Sequence, residues 1–409
     1  MPSLRTLSEF LDLPGYRITR FELNKEENLL TFWIGRSRDD ATYACGTCGR
    51  RTRRVHDSRE RELDDLPWGP RRVRLVVERH RVSCRRCGTH RAEALPFARP
   101  RSRMTRRLED RIALECQSAP VSEVAERWGI SWDRAKAADM RFLGDWAAAR
   151  PRRRVRHVGL DEVSYAKRHR YYTVLCDLDE AEVIDLVKDR TRAATDSLLQ
   201  GGLSAEQRRS VKAACIDMWR PYREAVAEHL PGAEVVFDKF HVMQHVGRAV
   251  DETRRAEFFR QGAEARATMR GKRWLLLSRW KNLAREGRRR LAEALDLNRR
   301  LFKAYYLKEE IHQLWRYTYE GSARKFWETW KRSLRWQRMP AFERLVATIE
   351  KHLDGILAHC RHKVRFGVVE SINAIVKSII RRARGYRDHA YVRLKIMWAT
   401  AHPSSGASL

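Results

Sequence analysis

Val158-Gly159-Leu160-Asp161-Glu162-Val163 reads as an apolar strand with a carboxylate set in its middle. Taking that charge out of water costs several kcal/mol unless a partner offsets it. A chain that folds around this strand must therefore deliver a partner to Asp161, and a divalent metal ion is one.

The residues around it predict alternating strands and helices. His157 to Val163 is a first strand, and Tyr171 to Cys176 and Glu182 to Val187 continue it as a meander. A helix around Arg192 to Gln200 and a shorter one capped by Ser204 lead to the apolar run Val211 to Ile216, which ends at Asp217. A helix from Arg220 to Leu230 precedes a fifth strand, Glu234 to Phe237, ending at Asp238. The order βββαβαβα is that of a ribonuclease H-like fold. Its first and fourth strands are neighbours, so Asp161 and Asp217 are expected to face one another at one end of the sheet. Residues 239–355 read as nearly all helix and carry six of the 13 Trp, which marks an insertion before the last helix. Trp327 and Trp330 share a helix face, and core packing is favoured there over stacking on unpaired bases. The last helix starts near Gly367. Val369, Ile372, Ile375, Val376 and Ile379 form its apolar face, and Glu370, Asn373, Lys377, Arg381 and Arg384 form a face able to lie along a phosphate backbone.

Upstream, a short helix (Leu4 to Leu11) and a hairpin (Tyr16 to Leu23, Asn28 to Ile34) precede two C-x-x-C knuckles, Cys45/Cys48 and Cys84/Cys87. Four thiolates in two tight turns complete a closed tetrahedral zinc site. The stretch between them carries a strand, Arg72 to Val77, and a loop, Asp64 to Gly69, so a zinc ribbon with an insertion is expected; His56, His80 and His90 are spare ligands. The segment containing Arg99, Arg101 and Arg103 is a basic linker, either an arm for a minor groove or merely solvated. Residues 105–143 read as three helices, capped by Thr105, Ser122 and Ser131, with a turn at Gly129-Ile130. This is the spacing of a helix-turn-helix whose third helix, Trp132 to Leu143, would offer Trp132, Asp133, Arg134, Lys136 and Ala137 to a major groove. Ala147 to Arg154 reads as a second linker.

Lys plus Arg number 84 against 53 Asp plus Glu, a net charge of +31. Such an excess calls for a polyanionic partner, and nucleic acid is the default. No apolar run of ~18 residues predicts a membrane span, and the first residues lack a signal-peptide pattern. The eight Cys are accordingly expected in a reducing compartment rather than in disulfides.

These residues resemble DDE-type insertion-sequence transposases, most closely the family called ISL-three (ISL3). The resemblance spans nearly the whole chain. It includes the knuckles with Val55-His56-Asp57 and Asp65-Leu66-Pro67, the helix-turn-helix, Gly159-Leu160-Asp161-Glu162, Ile216-Asp217-Met218-Trp219 and Phe237-Asp238-Lys239-Phe240-His241-Val242. It ends with Val369-Glu370-Ser371-Ile372-Asn373 and Gly385-Tyr386-Arg387. Each motif is weak alone; their order and number are specific. The family usually has Gly after the glutamate, where this chain has Ser371, which bears on local geometry rather than on the acid.

The resemblance implies a multidomain α+β protein. Residues 1–97 would be the hairpin and zinc ribbon, and 104–146 the helix-turn-helix. Residues 156–250 and 356–400 would form the ribonuclease H-like core, with a helical insertion over 251–355. It implies a transposase of the bacterial cytoplasm, nucleoid-associated, that binds terminal inverted repeats on double-stranded DNA as a homodimer on paired ends. Structural Zn²⁺ and catalytic Mg²⁺ or Mn²⁺ would be its cofactors. Two ions roughly 3.5–4 Å apart suit phosphodiester transfer; Asp161 would bridge both, Asp217 hold one and Glu370 the other. Asp238 and His241 rank second, His241 as an orienter of the scissile phosphate or of a metal-bound water, although such an Asp-x-x-His pair is more often a strand end and helix cap. A transposase-derived DNA-binding regulator without activity is the alternative, and a junction or hairpin nuclease on the same fold a more distant one.

Overall fold

The computed structural model describes residues 3–37, 42–166, 170–260, 266, 270–383 and 386–402. They fall into two compact units, one ending at Arg150 and one beginning at Pro151. Arg384 and Gly385, both singled out above, lie outside the described residues.

In the first unit, α1 (Leu4–Leu11) is capped by Ser3 and leads into an antiparallel hairpin of β1 (Tyr16–Asn24) and β2 (Leu29–Arg36). Asn28, at φ +50°, makes its turn, a conformation that Asn tolerates better than most residues. After the short pair β3 (Tyr43–Ala44) and β4 (Arg51–Thr52) come two long strands, β5 (Val55–Trp68) and β6 (Arg71–Cys84), then β7 (Thr89–Ala92). The sheet order is β1-β2-β6-β5, with β7 also on β6. The expected loop from Asp64 is thus the end of β5, and the insertion between the knuckles is a β ribbon of two 14-residue strands. The strand was hidden because β5 buries little beyond Leu63 and Asp65. Its charged side chains instead pair across to β6, as in Arg81–Asp57 at 2.8 Å and Arg74–Glu62 at 3.4 Å.

Three helices follow: α2 (Arg106–Ser118), α3 (Val121–Arg127) and α4 (Trp132–Ala149). Thr105 and Ser131 accept from Leu108 N and Arg134 N as caps. Ser122 does not cap: α3 starts one residue after Pro120, whose extended backbone sets the entry, leaving Ser122 inside the first turn. The Ala147 to Ala149 stretch is helix rather than linker, as the strong helix preference of Ala allows. The buried Asp65 ties ribbon to helices, accepting from Thr105 Oγ1 at 2.6 Å and Arg107 Nε at 2.8 Å.

The second unit is built on a five-stranded sheet in the order β10-β9-β8-β11-β12. Its strands are β8 (His157–Ala166), β9 (Arg170–Asp177), β10 (Glu182–Lys188), β11 (Ala213–Ile216) and β12 (Glu234–Phe237). The first three form an antiparallel meander, and β8, β11 and β12 run parallel. This is the ribonuclease H-like order expected. The linking helices are α5 (Arg192–Gly202), α6 (Ala205–Ser210) and α7 (Arg220–His229), and Val158, Leu160, Ile216, Leu198 and Tyr222 fill one core. The helix Gly367–Arg382 packs on β8. It is not the last: a further helix, His389–Ala401, packs on β10, where Arg393 pairs with Asp185 at 2.8 Å.

From α8 (Lys239–Arg260) onward the chain is helical to Leu357 wherever it is described, apart from turns. Trp327 and Trp330 stack at 5.2 Å between ring centroids and are at most 1% exposed, and Trp330 Nε1 donates to Leu307 O at 3.1 Å. They are core, whereas Trp336 is 88% exposed. Trp330→Ala is expected to cost about 3–5 kcal/mol and Trp336→Ala less than about 0.5 kcal/mol, as read by urea unfolding of the two variants side by side.

Candidate active site and zinc centre

The four cysteines converge. Their sulfur atoms all lie within 4.8 Å of one another, with Cys45–Cys87 at 3.9 Å and Cys48–Cys84 at 3.6 Å. A tetrahedral ion with Zn–S bonds of about 2.3 Å places its sulfurs roughly 3.8 Å apart, so the set fits zinc. Each knuckle is closed by a glycine in the left-handed region, Gly49 at φ +71° and Gly88 at φ +65°, whose N–H donates to the carbonyl of the first cysteine. Backbone N–H groups of Cys87 and Arg86 point at Cys84 Sγ and favour its thiolate, lowering that pKa to about 7. His56 and His90 face each other at 3.9 Å and are not in the four-sulfur group.

In the second unit, the register that pairs Cys215 with Gly159 carries Asp217 alongside Asp161 two residues further on. The register of β11 with β12 continues likewise to Asp217 and Asp238. Three aspartates therefore lie level across three neighbouring parallel strands, Asp161 midway along β8 and Asp217 and Asp238 just past the ends of β11 and β12, each 8% exposed or less. Asn373 Nδ2 donates to Asp161 Oδ2 at 2.7 Å. In the first turn of α8, His241 Nε2 lies 3.8 Å from Asp161 Oδ1, and its Nδ1 lies 3.3 Å from Asp238 Oδ2. Sequence reasoning missed two members of the cluster. Arg190 Nη1 contacts Glu162 Oε1 at 2.9 Å and its Nη2 contacts Asp217 Oδ2 at 3.2 Å, while its guanidinium lies 4.8 Å over the Trp219 ring. Glu162 also accepts from Tyr222 Oη at 3.3 Å. Glu162 was legible as the neighbour of Asp161; Arg190, a lone arginine in the turn after β10, gave no signal.

The charges do not balance. Burial, then the charge of Asp238, pushes the Asp161 carboxyl up against the pull of His241 and Asn373. Burial and the adjacent Asp161 push Glu162 to about 7. Burial alone would lower His241, but the carboxylates of Asp238 and Asp161 outweigh it and raise its pKa. Asn373 Oδ1 is buried with no partner. An excess of carboxylate oxygens beside an orphaned amide oxygen fits a hard divalent cation with its waters.

Glu370 stands differently. It is exposed in the first turn of Gly367–Arg382, one turn from Asn373, and among the described residues no hydrogen bond or ion pair reaches it. Its helix is seated by Val369, which packs where a Cβ on Gly159 would come within 2.8 Å of Val369 Cγ2. Lys377 and Arg381 are exposed further along the same helix. In the first unit Trp132 is half exposed, with the Lys136 ammonium 5.4 Å from its ring, and Arg134 pairs with Asp64 at 2.8 Å. Arg101 and Arg103 are exposed, but Arg99 is turned inward onto Glu109, at 2.6 Å, and Asp145.

Three family models match the chain. Residues 158–396 match a DDE "transposase" model, 93–143 the helix-turn-helix domain of transposase family ISL3, and 41–87 the zinc-finger of transposases IS204/IS1001/IS1096/IS1165. The transposase for insertion sequence element IS1001 of Bordetella parapertussis is 35% identical over 361 residues, 86% of this chain and 87% of that protein. The transposase for IS1557 of Mycobacterium tuberculosis is 27% identical over 395 residues, 90% and 88% of the two chains. The class is thus an insertion-sequence transposase with helix-turn-helix and DDE domains. Within it, the chain belongs to the ISL3 family.

Cys84→Ser is expected to abolish zinc binding, measured as bound metal per chain by atomic absorption, and to open residues 42–92 to protease, because such a site supplies folding energy on the order of 10 kcal/mol. Gly159→Ala is expected to destabilise the second unit by about 1–3 kcal/mol through overpacking. Combining it with Val369→Ala should restore part of that loss, as a thermal-unfolding double-mutant cycle would read.

Proposed function

We propose that this chain binds the terminal inverted repeats of its own insertion sequence and catalyses DNA strand cleavage and strand transfer at Asp161, Asp217 and Glu370, with Mg²⁺ or Mn²⁺ bound there. The observation that carries this reading is the meeting of Asp161 and Asp217 on neighbouring parallel strands, with Asp161 hydrogen-bonded to Asn373 one turn from Glu370. Asp161 and Asp217 would hold the ions from the sheet, and Glu370 would complete the set from the helix. Bound in this way, such ions activate an attacking water or 3′-hydroxyl and stabilise the leaving oxygen.

The chain's own residues do the rest. His241, held between Asp161 and Asp238, whose charges raise its pKa against the effect of burial, would orient the scissile phosphate. Asn373 fixes the rotamer of Asp161 and couples the position of Glu370's helix to the sheet. Arg190 neutralises Asp217 and Glu162 before DNA arrives. Lys377 and Arg381 extend a positive face along that helix. We assign end recognition to residues 1–97 and 104–146, with Trp132 and Lys136 at the major groove and Arg101 and Arg103 on the backbone. Catalysis falls to 156–250 with 356–400, around the 251–355 insertion, in a homodimer on paired ends.

The test is to incubate purified protein with labelled element ends and Mg²⁺ and to map the cuts. Asp217→Asn is expected to lower cleavage on the order of a thousandfold or more while gel-shift binding of the ends persists. Cleavage at the wild-type rate in that variant would refute the assignment.

A further inference from the structure

The second unit has an open crevice of about 810 Å³ between α7, β12 and the helices Pro340–Lys351 and Leu353–Leu357, and two of its lining residues, Met218 and Phe237, adjoin Asp217 and Asp238 in sequence. That is the size of a site for a small organic molecule. Its apolar floor is Met218, Val235 and Phe237, and Met218 directly follows Asp217.

The charges on its wall are sorted. Each acid already has a cation: Glu224 takes Arg220 at 2.6 Å, Glu234 takes Arg361 and also His362 at 2.7 Å, and Asp354 takes Arg324 at 2.8 Å. Two cations do not: among the described residues no acid pairs with Arg223 or Lys351, which both line the crevice. His352 lies next to Lys351, its ring edge-on to Phe237 at 5.1 Å and its Nδ1 buried without a partner. Burial, with repulsion from Arg223 and Lys351, lowers the pKa of His352 and keeps the ring neutral. A neutral ring can donate to or accept from a polar edge. The crevice therefore offers two unspent positive charges, a flat apolar floor and one hydrogen-bonding edge, which together complement a phosphate joined to a heterocyclic base.

We propose that this crevice holds one extrahelical nucleotide of the DNA strand engaged at the aspartates, its phosphate on Arg223 and Lys351 and its base over Met218, Val235 and Phe237. The proposal rests on the end-binding reading above. Drawing a base out of the stack costs free energy that is smallest at a nick or a strand end, and such positions are what a site that cuts and joins strands produces. The charge-assisted phosphate contacts and the buried base face offset that cost.

The test uses full-length protein and duplex element ends carrying 2-aminopurine at one position at a time, without divalent cation. Binding should brighten one position roughly threefold or more as its base leaves the stack. Arg223→Glu with Lys351→Glu should abolish that signal, and so should Ala227→Trp, which fills the crevice from the exposed face of α7. Both variants should keep the wild-type melting temperature, and Ala227→Trp, which leaves the cations in place, should bind matched duplex within about threefold. Brightening nowhere along the ends, or brightening that survives both variants, would overturn the proposal. Brightening that survives only the charge reversal would overturn the phosphate assignment. A wild-type chain that fails to shift the ends at all would instead overturn the end-binding reading, and this proposal with it.

Discussion

The second unit is organised by the crowding of like charge at one end of its sheet. Because β8, β11 and β12 run parallel, the ends of β11 and β12 fall beside the middle of β8, which brings Asp217 and Asp238, just past their strands, level with Asp161. Carboxylates buried this close cannot all ionise freely. The chain answers with Arg190, with His241 and with the amide of Asn373, and the answer is incomplete, since burial still pushes the Asp161 carboxyl up and Glu162 to about 7. Other features serve this concentration of charge. Gly159 lacks a side chain so that Val369 can close against β8, and that closure brings Asn373 to Asp161.

Much of this was legible before any coordinates. The strand order, the four-cysteine centre and the proximity of Asp161 to Asp217 follow from alternation, spacing and the side-by-side placement of first and fourth strands. Periodicity reports faces well when one face is apolar. It failed where charge replaced apolarity: β5 is a long strand with half its residues exposed and only two buried, and it is held by pairing with β6, so its Asp64–Trp68 end reads as loop. It also failed for pairs formed across large sequence separations. Nothing near Arg99 announces that Glu109 and Asp145 will hold it, and nothing near Arg190 places it between Glu162 and Asp217. Local rules erred where two compete, as at Pro120 and Ser122, where the fixed φ of proline decided the helix start.

The arginines show how far net charge can be read. The surplus of +31 is not all free at the surface. Buried acids claim a definite share: Glu93 takes Arg36, Glu109 takes Arg99 and Arg141, Asp65 takes Arg107. Those guanidiniums are held as structure, and losing one would strand a buried charge. The surplus therefore collects on cations without an acid partner, and these carry the information about what the surface meets.

The same charge balance fits the exposure of Glu370, in contrast to the buried aspartates. A further carboxylate set into their cluster would have no cation left to meet it, since Arg190 already serves Glu162 and Asp217, and His241 serves Asp161 and Asp238. On a first helical turn that faces water, Glu370 keeps its hydration and gains from the positive end of the helix dipole. Positive charge at the aspartate end of the sheet would lift this electrostatic objection to a further carboxylate, and Glu370, one turn from Asn373, is the acid placed to use it.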